Sequence, residues 1–304
     1  MQINSRFTLS VVIFIAFLAL VEHYFGWSTL LRPWRDLSLG LILLAITIVF
    51  ASYCLRAYRL FDYFKTEMAG AFSLCFKVML QHNLLNNILP MRTGEISFPV
   101  LTSRYFSIPV KRSIPALLWF RILDLHTLGI FALWATAGYW FNQGVVIILL
   151  LFWSALPWLF FHLSARLTAY IGENPQRRLA AITKKILDGL PRSQPVFWRS
   201  WAWTLINWLV KLAIFTWILL LFIDVPVSAA LMGAIAGDLT SVLPIHGVAG
   251  AGTYEAGVVA GLLPYDVDPE NALGSAINLH LFILASTVIG GAISLLIPGK
   301  RSNG

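Results

Sequence analysis

The sequence predicts an all-α fold, a polytopic helical membrane protein of about six spans with two broken, re-entrant segments. Three observations carry this expectation. Of 304 residues 58% are hydrophobic and 12% charged, and mean hydropathy is +0.76, outside the balance of a water-soluble domain. Apolar runs beginning at Phe7, Leu37 and Val145 approach or reach the roughly 20 residues that cross a bilayer core. Two further apolar regions are interrupted by Pro, Gly and polar residues and cannot be simple spans. No polar tract is long enough for a second, soluble domain, so residues 1–304 read as a single integral membrane domain.

In chain order, spans are expected near 7–25, 37–56, 113–141, 145–163, 199–222 and 270–297. The first follows Arg6, but "VEHYFGWS" offers no small-x-small cleavage site, so it reads as a retained helix. The interrupted regions are 66–110 and 227–265, each expected to be two short helices joined by irregular backbone inside the membrane. Within 172–192, Leu179, Ile182, Ile186 and Leu190 lie at helical spacing opposite Arg and Lys, the pattern of a basic helix on an anionic inner leaflet. Trp27, Trp34, Trp140, Trp198 and Trp201 near helix ends read as interface anchors. Cys54 and Cys75 form neither a metal spacing nor a disulfide framework and read as packing residues.

A net charge of +8 would suggest nucleic acid in a soluble chain. In a membrane chain its location matters first. If both interrupted regions return to their starting side, the segments placed in the cytoplasm hold 16 of the 22 Lys and Arg. These are Arg6; Arg56, Arg59 and Lys65; Arg104, Lys111 and Arg112; seven between Arg166 and Arg199; and Lys300 and Arg301. Arg32 and Arg35 fall on the outer side, and the remaining four, Lys77, Arg92, Arg121 and Lys211, lie within apolar or interrupted regions. Both termini are therefore expected in the cytoplasm, with no nucleic-acid partner.

The two interrupted regions share a pattern. "NNILPMRTGE" and "DLTSVLPIHGVAGAGTYE" each run from polar residues through Leu-Pro to a basic or His residue, then Gly, then Glu95 or Glu255. With three spans between them, the second enters from the opposite face, which reads as an inverted repeat of the transporter kind. Pro90 and Pro244 stop a helix, and Gly94, Gly247, Gly250 and Gly252 let the backbone turn. Helices restarting after Gly94 and Gly252 would aim positive ends into a cavity, suited to phosphate, with Arg92 adding a charge-assisted contact. Glu95 and Glu255 would fall in the first turn of those helices. There they either complement the dipole, worth about 0.3–1 kcal/mol, or bind a cationic head group or a proton.

Other polar residues lie inside spans. Arg121 and Asp124 are three apart on one helix face and can pair, as a structural ion pair or as part of a substrate site. His126 points elsewhere and reads as a packing residue. Thr204, Asn207 and Lys211 make one stripe, with Lys211 needing a partner or water; Asn271, Ser275 and Asn278 make another. Ser286, Gly290 and Ser294 follow at the spacing of close helix contact. Stripes of this kind line a cavity or join helices. Asn87 adds polarity to the limb before the first break. No HExxH, GxSxG or Walker loop occurs, so neither an enzyme nor a cofactor or metal is expected.

Together "NNILPMRTGE", "RILD" and "LPIHGVAGAGTYEAG" resemble the flippase-like integral membrane family related to the transmembrane domain of lysylphosphatidylglycerol synthase. The resemblance covers nearly the whole chain and implies a helical bundle with two re-entrant segments that moves lipids between leaflets. By motif it carries over Asn87, Pro90, Arg92, Gly94, Glu95, Arg121, Asp124, Pro244, Gly247, Gly250, Gly252 and Glu255. One departure is "PIHGVAGAG" in place of a compact Pro-Gly-Gly. The chain stops soon after its last span, so the soluble aminoacyl transferase of the synthases is not expected.

The leading expectation is a lipid translocase of the cytoplasmic (inner) membrane. Asn87, Arg92, Gly94, Glu95, Arg121, Asp124, Lys211, Gly250, Gly252 and Glu255 would bind a phosphate-bearing lipid or lipid-linked precursor. Expected partners are that lipid and anionic inner-leaflet lipids, with a homo-oligomer left open. The alternatives are a membrane enzyme or accessory subunit acting on a polyprenyl- or glycolipid-phosphate, and a small-solute carrier on the same scaffold.

Overall fold

The computed structural model describes residues 5–173, 183–184, 186–191, 193–240 and 248–299, and every regular element among them is helical. Helix α1 spans Ser5–Tyr24, α2 Trp27–Leu30, α3 Arg32–Asp36, α4 Leu39–Tyr63, α5 Lys65–Met68 and α6 Phe72–Ile88. A 3-10 turn, Pro90–Ile96, leads into α7, Ser97–Phe106, followed by α8, Val110–Trp140, α9, Gln143–Glu173, α10, Gln194–Leu220, and α11, Val227–Thr240. Beyond a short turn at Val248–Gly250 come α12, Thr253–Leu262, a turn at Leu263–Tyr265, and α13, Pro269–Leu296.

Five of these helices contain stretches long and apolar enough to cross a bilayer: Leu39–Tyr63, Val110–Ala137, Gln143–Ser164, Gln194–Leu220 and Pro269–Leu296. They answer to the second through sixth expected spans. The first behaves differently. Phe14–Tyr24 and Trp27–Asp36 form a pair bent by 81°, a sixth span only if counted together. Gly26, at φ 68, makes the turn, and Glu22 Oε2 accepts the Trp27 amide at 2.9 Å to cap the helix beyond it.

The chain divides into two compact units. One comprises Met1–Cys54, Met79–Ser97 and Leu209–Pro298; the other Leu55–Val78, Phe98–Trp208 and Gly299–Gly304. In the second unit α8 and α9 are clasped by a reciprocal pair. His126 Nε2 donates to the Trp153 carbonyl at 2.7 Å, while Trp153 Nε1 donates to the His126 carbonyl at 2.9 Å. The two rings lie parallel, 5.9 Å apart, so His126 does have a packing role. Cys75 is buried and donates to the Ala57 carbonyl, but Cys54 is exposed, which corrects its reading as a packed residue. Most of the expected basic helix at 172–192 lies outside the described residues.

The second interrupted region doubles back. In the first unit α11 and α12 run antiparallel in close contact. A Cβ on Gly257 would stand 2.7 Å from the Ala236 carbonyl, and one on Gly261 2.9 Å from Ala236 Cβ. At the first break, His82 of α6 meets Ser97, the first residue of α7, at 2.8 Å.

Candidate functional site

The site is built from the two breaks, because the Pro90–Ile96 turn packs against Val248–Gly250 within the first unit, and α1 packs on the latter. Leu89, extended at ψ 135, ends α6, and Pro90 starts the 3-10 turn without an amide to satisfy. Gly94 is required here by space. A Cβ on it would land on the backbone of Leu85 and Asn86, so the turn can lie against the end of α6 only without a side chain.

One expectation needs correction. The α-helix does not restart after Gly94; it begins at Ser97, and Gly94 and Glu95 lie inside the 3-10 turn. The Ser97 amide already bonds to the Gly94 and Glu95 carbonyls. Ser97 Oγ donates to the Gly94 carbonyl at 2.6 Å, so His82 Nδ1 must carry the proton it shares with Ser97. Asn87 is fixed as well: its Nδ2 donates to Thr287 Oγ1 of α13 at 2.8 Å, and Tyr53 lies 3.4 Å from that hydroxyl. The side chain of Arg92 lies outside the described residues.

At the second break, Pro244 and Gly247 also lie outside the described residues. From Val248 the backbone passes through Ala249 at φ 54, Gly250 at φ 75 and Gly252 at φ 82, and α12 then begins at Thr253. The left-handed turn at Gly252 aims its amide back at Glu255, whose Oε2 accepts it at 2.8 Å. Glu255 Oε1 lies 2.6 Å from His280 Nδ1 of α13, and Glu255 is 2% exposed. Both oxygens are thus engaged within the protein. The positive end of α12 is met by its own carboxylate, where an external anion was expected.

Lys211 finds the partner its burial demands in Asp238 of α11, 2.9 Å away, and its ammonium stands 5.0 Å from the Phe215 ring. The Asn271, Ser275 and Asn278 stripe does both things such stripes can do. It lines a cavity of about 210 Å³ with Phe25, Leu30 and Glu270, and Asn278 Oδ1 accepts from Trp34 Nε1 at 2.7 Å. That bond, with Phe222 and Phe282 against the indole, makes Trp34 a structural residue rather than only an interface anchor. Farther along α13, Gly290 meets Leu80 and Gly291 meets Leu84, the close contact expected around Gly290.

Arg121 and Asp124 belong to the second unit. They do pair, at 3.4 Å, but the shorter bond to Asp124 comes from Arg59 at 2.7 Å. Trp208 Nε1 donates to the same oxygen at 3.0 Å, and Arg59 also donates to Thr204 at 2.8 Å while lying over the Phe120 ring. Arg59 is 4% exposed. Its count as a loop charge is therefore corrected: α4 carries it into the protein as the principal partner of Asp124.

A sequence model described as the lysylphosphatidylglycerol synthase TM region matches residues 7–291. The chain belongs to this family. Searches of curated proteins and of solved structures each find no match. This lysylphosphatidylglycerol synthase TM-region protein is thus a multi-pass membrane protein of a family tied to lipid-related processes. Of the residues expected to form its site, Asn87, Gly94, Glu95, Lys211, Gly250, Gly252 and Glu255 share the first unit, and Arg121 and Asp124 lie in the second. Sequence reasoning missed Arg59, Asp238, His280 and Thr287. Arg59, Asp238 and His280 are ionisable residues inside otherwise apolar helices, the signal that singled out Lys211 and Asp124.

Proposed function

We propose that the protein moves a phosphate-bearing lipid or lipid-linked precursor across the cytoplasmic membrane, as a carrier rather than an enzyme. The observation that supports this most is the packing of two helix breaks on each other within a chain of this family. Irregular backbone at membrane depth is tolerated only beside protein or a wet cavity, and paired breaks are where transporters bind cargo. Glu255 and Gly252 satisfy each other, so the phosphate contact falls to the first break, with Arg92 as the cation and the Pro90–Ile96 turn as the backbone around it. Both termini face the cytoplasm in this reading, and the inner leaflet supplies the lipid.

The test is reconstitution into vesicles carrying head-group-defined fluorescent phospholipids, with dithionite bleaching the outer leaflet. Protein-dependent flip that slows at least about ten-fold in Arg92→Gln, the loss of one charge-assisted contact, supports the proposal. Absence of flip for every lipid class overturns it. Lipids of altered mass after incubation would instead favour an enzyme acting on the lipid phosphate.

A further inference from the structure

We propose that Glu255 and His280 hold an exchangeable proton, and that this proton couples transport to the proton gradient across the membrane. The nature of the cargo rests on the reading above; the proton site does not.

Four ionisable side chains follow one another through four consecutive large elements of the first unit: Lys211 on α10, Asp238 on α11, Glu255 on α12 and His280 on α13. Lys211 and Asp238 are 2.9 Å apart and Glu255 and His280 are 2.6 Å apart, with both pairs largely buried. Tyr254 joins them. Its ring lies tilted against that of His280, centroids 4.6 Å apart, and its Cζ lies 3.0 Å from where a Cβ would stand on Gly237, the neighbour of Asp238. The Tyr254 residue is 5% exposed, and its buried hydroxyl has no hydrogen-bond partner among the described residues. A buried hydroxyl without a partner is costly, so this one is poised to bond an incoming polar group.

Charge counting shows why the proton matters. Lys211 and Asp238 are oppositely charged partners, whereas a neutral imidazole gives the buried Glu255 carboxylate no countercharge within its own pair. A proton on His280 supplies that countercharge. Nδ1 keeps its bond to Glu255 in both states, so the exchangeable proton enters and leaves at Nε2 and no other bond changes. A conformation that opens the pair to one side of the membrane exchanges its proton with that side, which is the coupling between states that transport requires.

The surroundings of Glu255 can be named from each element packed near it. α11 presents Asp238, with Lys211 of α10 behind it. α13 presents His280, and α12 itself presents Tyr254. α1 brings the apolar Phe17 near Gly252. On the turn that packs against Val248–Gly250 the ionisable side chain described is Glu95. Glu255 therefore stands among two further acids, one tyrosine, one imidazole and one ammonium.

Two measurements on the full chain decide the matter. In lipid nanodiscs, nitrogen-15 histidine spectra are recorded from pH 5 to 9. One imidazole whose titration disappears in His280→Gln and moves in Glu255→Gln is expected; a His280 that never titrates in the wild type overturns the proposal. In proteoliposomes holding a pH-sensitive dye and a dithionite-quenchable phospholipid, an imposed gradient of one pH unit biases flip by up to about ten-fold per proton carried. That bias is expected to vanish in His280→Gln. Wild-type flip that ignores the gradient overturns the coupling. Absence of flip together with a His280-dependent proton flux leaves the proton site standing and sinks the lipid cargo. If His280→Gln fails to fold by size exclusion, His280→Asn replaces it and the wild-type titration still decides.

Discussion

Replacing Asp124 with Ala removes the carboxylate on which Arg59, Arg121 and Trp208 converge. Two of the three contacts, Arg59 at 2.7 Å and Trp208 at 3.0 Å, have good geometry, and the 3.4 Å contact from Arg121 adds little. Hydrogen bonds to a charged partner are worth about 1.5–3 kcal/mol each. The Arg59 side chain is only 5% exposed, so it would be stranded without its counter-ion. It keeps Thr204 and the face of Phe120, which holds the cost near the lower end of the roughly 3–5 kcal/mol typical of a broken buried pair. The assay is thermal unfolding in detergent followed by size exclusion, on Asp124→Ala, Asp124→Leu, Arg59→Met and the Asp124→Leu, Arg59→Met double variant. The single changes should each be strongly destabilising, and the double variant should recover most of the loss, because an apolar pair strands no charge. Asp124→Ala within about 1 kcal/mol of wild type, or double-variant losses that simply add, would refute the reasoning.

Gly94→Ala drives a methyl into backbone that cannot rotate away, so it should cost about 1–3 kcal/mol. Gly40→Ala, which meets nothing within 4 Å, should stay within about 0.5 kcal/mol; the two melting curves compared directly check this. Lys211→Met should destabilise by leaving Asp238 in place, whereas Lys211→Met with Asp238→Leu should melt closer to wild type. Single cysteines placed at Gln2 and at Pro33, in a Cys54→Ala, Cys75→Ala background, should label oppositely with an impermeant maleimide in oriented vesicles. Pro33 should react from the outside and Gln2 only after permeabilisation, and the reverse pattern would invert the topology.

Hydropathy suffices for the long spans because α4, α8, α9, α10 and α13 each stay apolar on average over a bilayer-length window, their few polar residues notwithstanding. The bend after α1 was less legible, since its cause is the backbone of one glycine at positive φ. The breaks announced themselves through Pro90, Gly94 and Gly252, whose backbone chemistry is local. What the glutamates do was not local. Whether Glu255 meets a ligand or its own helix depends on the left-handed turn at Gly252 and on His280, 25 residues away. Arg59 shows the same limit: it lies 65 residues from Asp124, near enough to a helix end to pass for a loop charge, and only packing brings the two together.

The length of the second limbs bears on how the protein is made. Helices α7 and α12 have ten residues each, about 15 Å of rise, half the thickness of a hydrocarbon core. Neither presents the lateral exit of a translocon with a segment that could partition into lipid alone. Each must follow its longer partner in after synthesis of the loop between them, α12 settling against α11 through Gly257 and Gly261. Bulk added at those two glycines would therefore be felt first during biosynthesis, as chain left outside the bilayer and degraded, before any assay of the mature protein could register it.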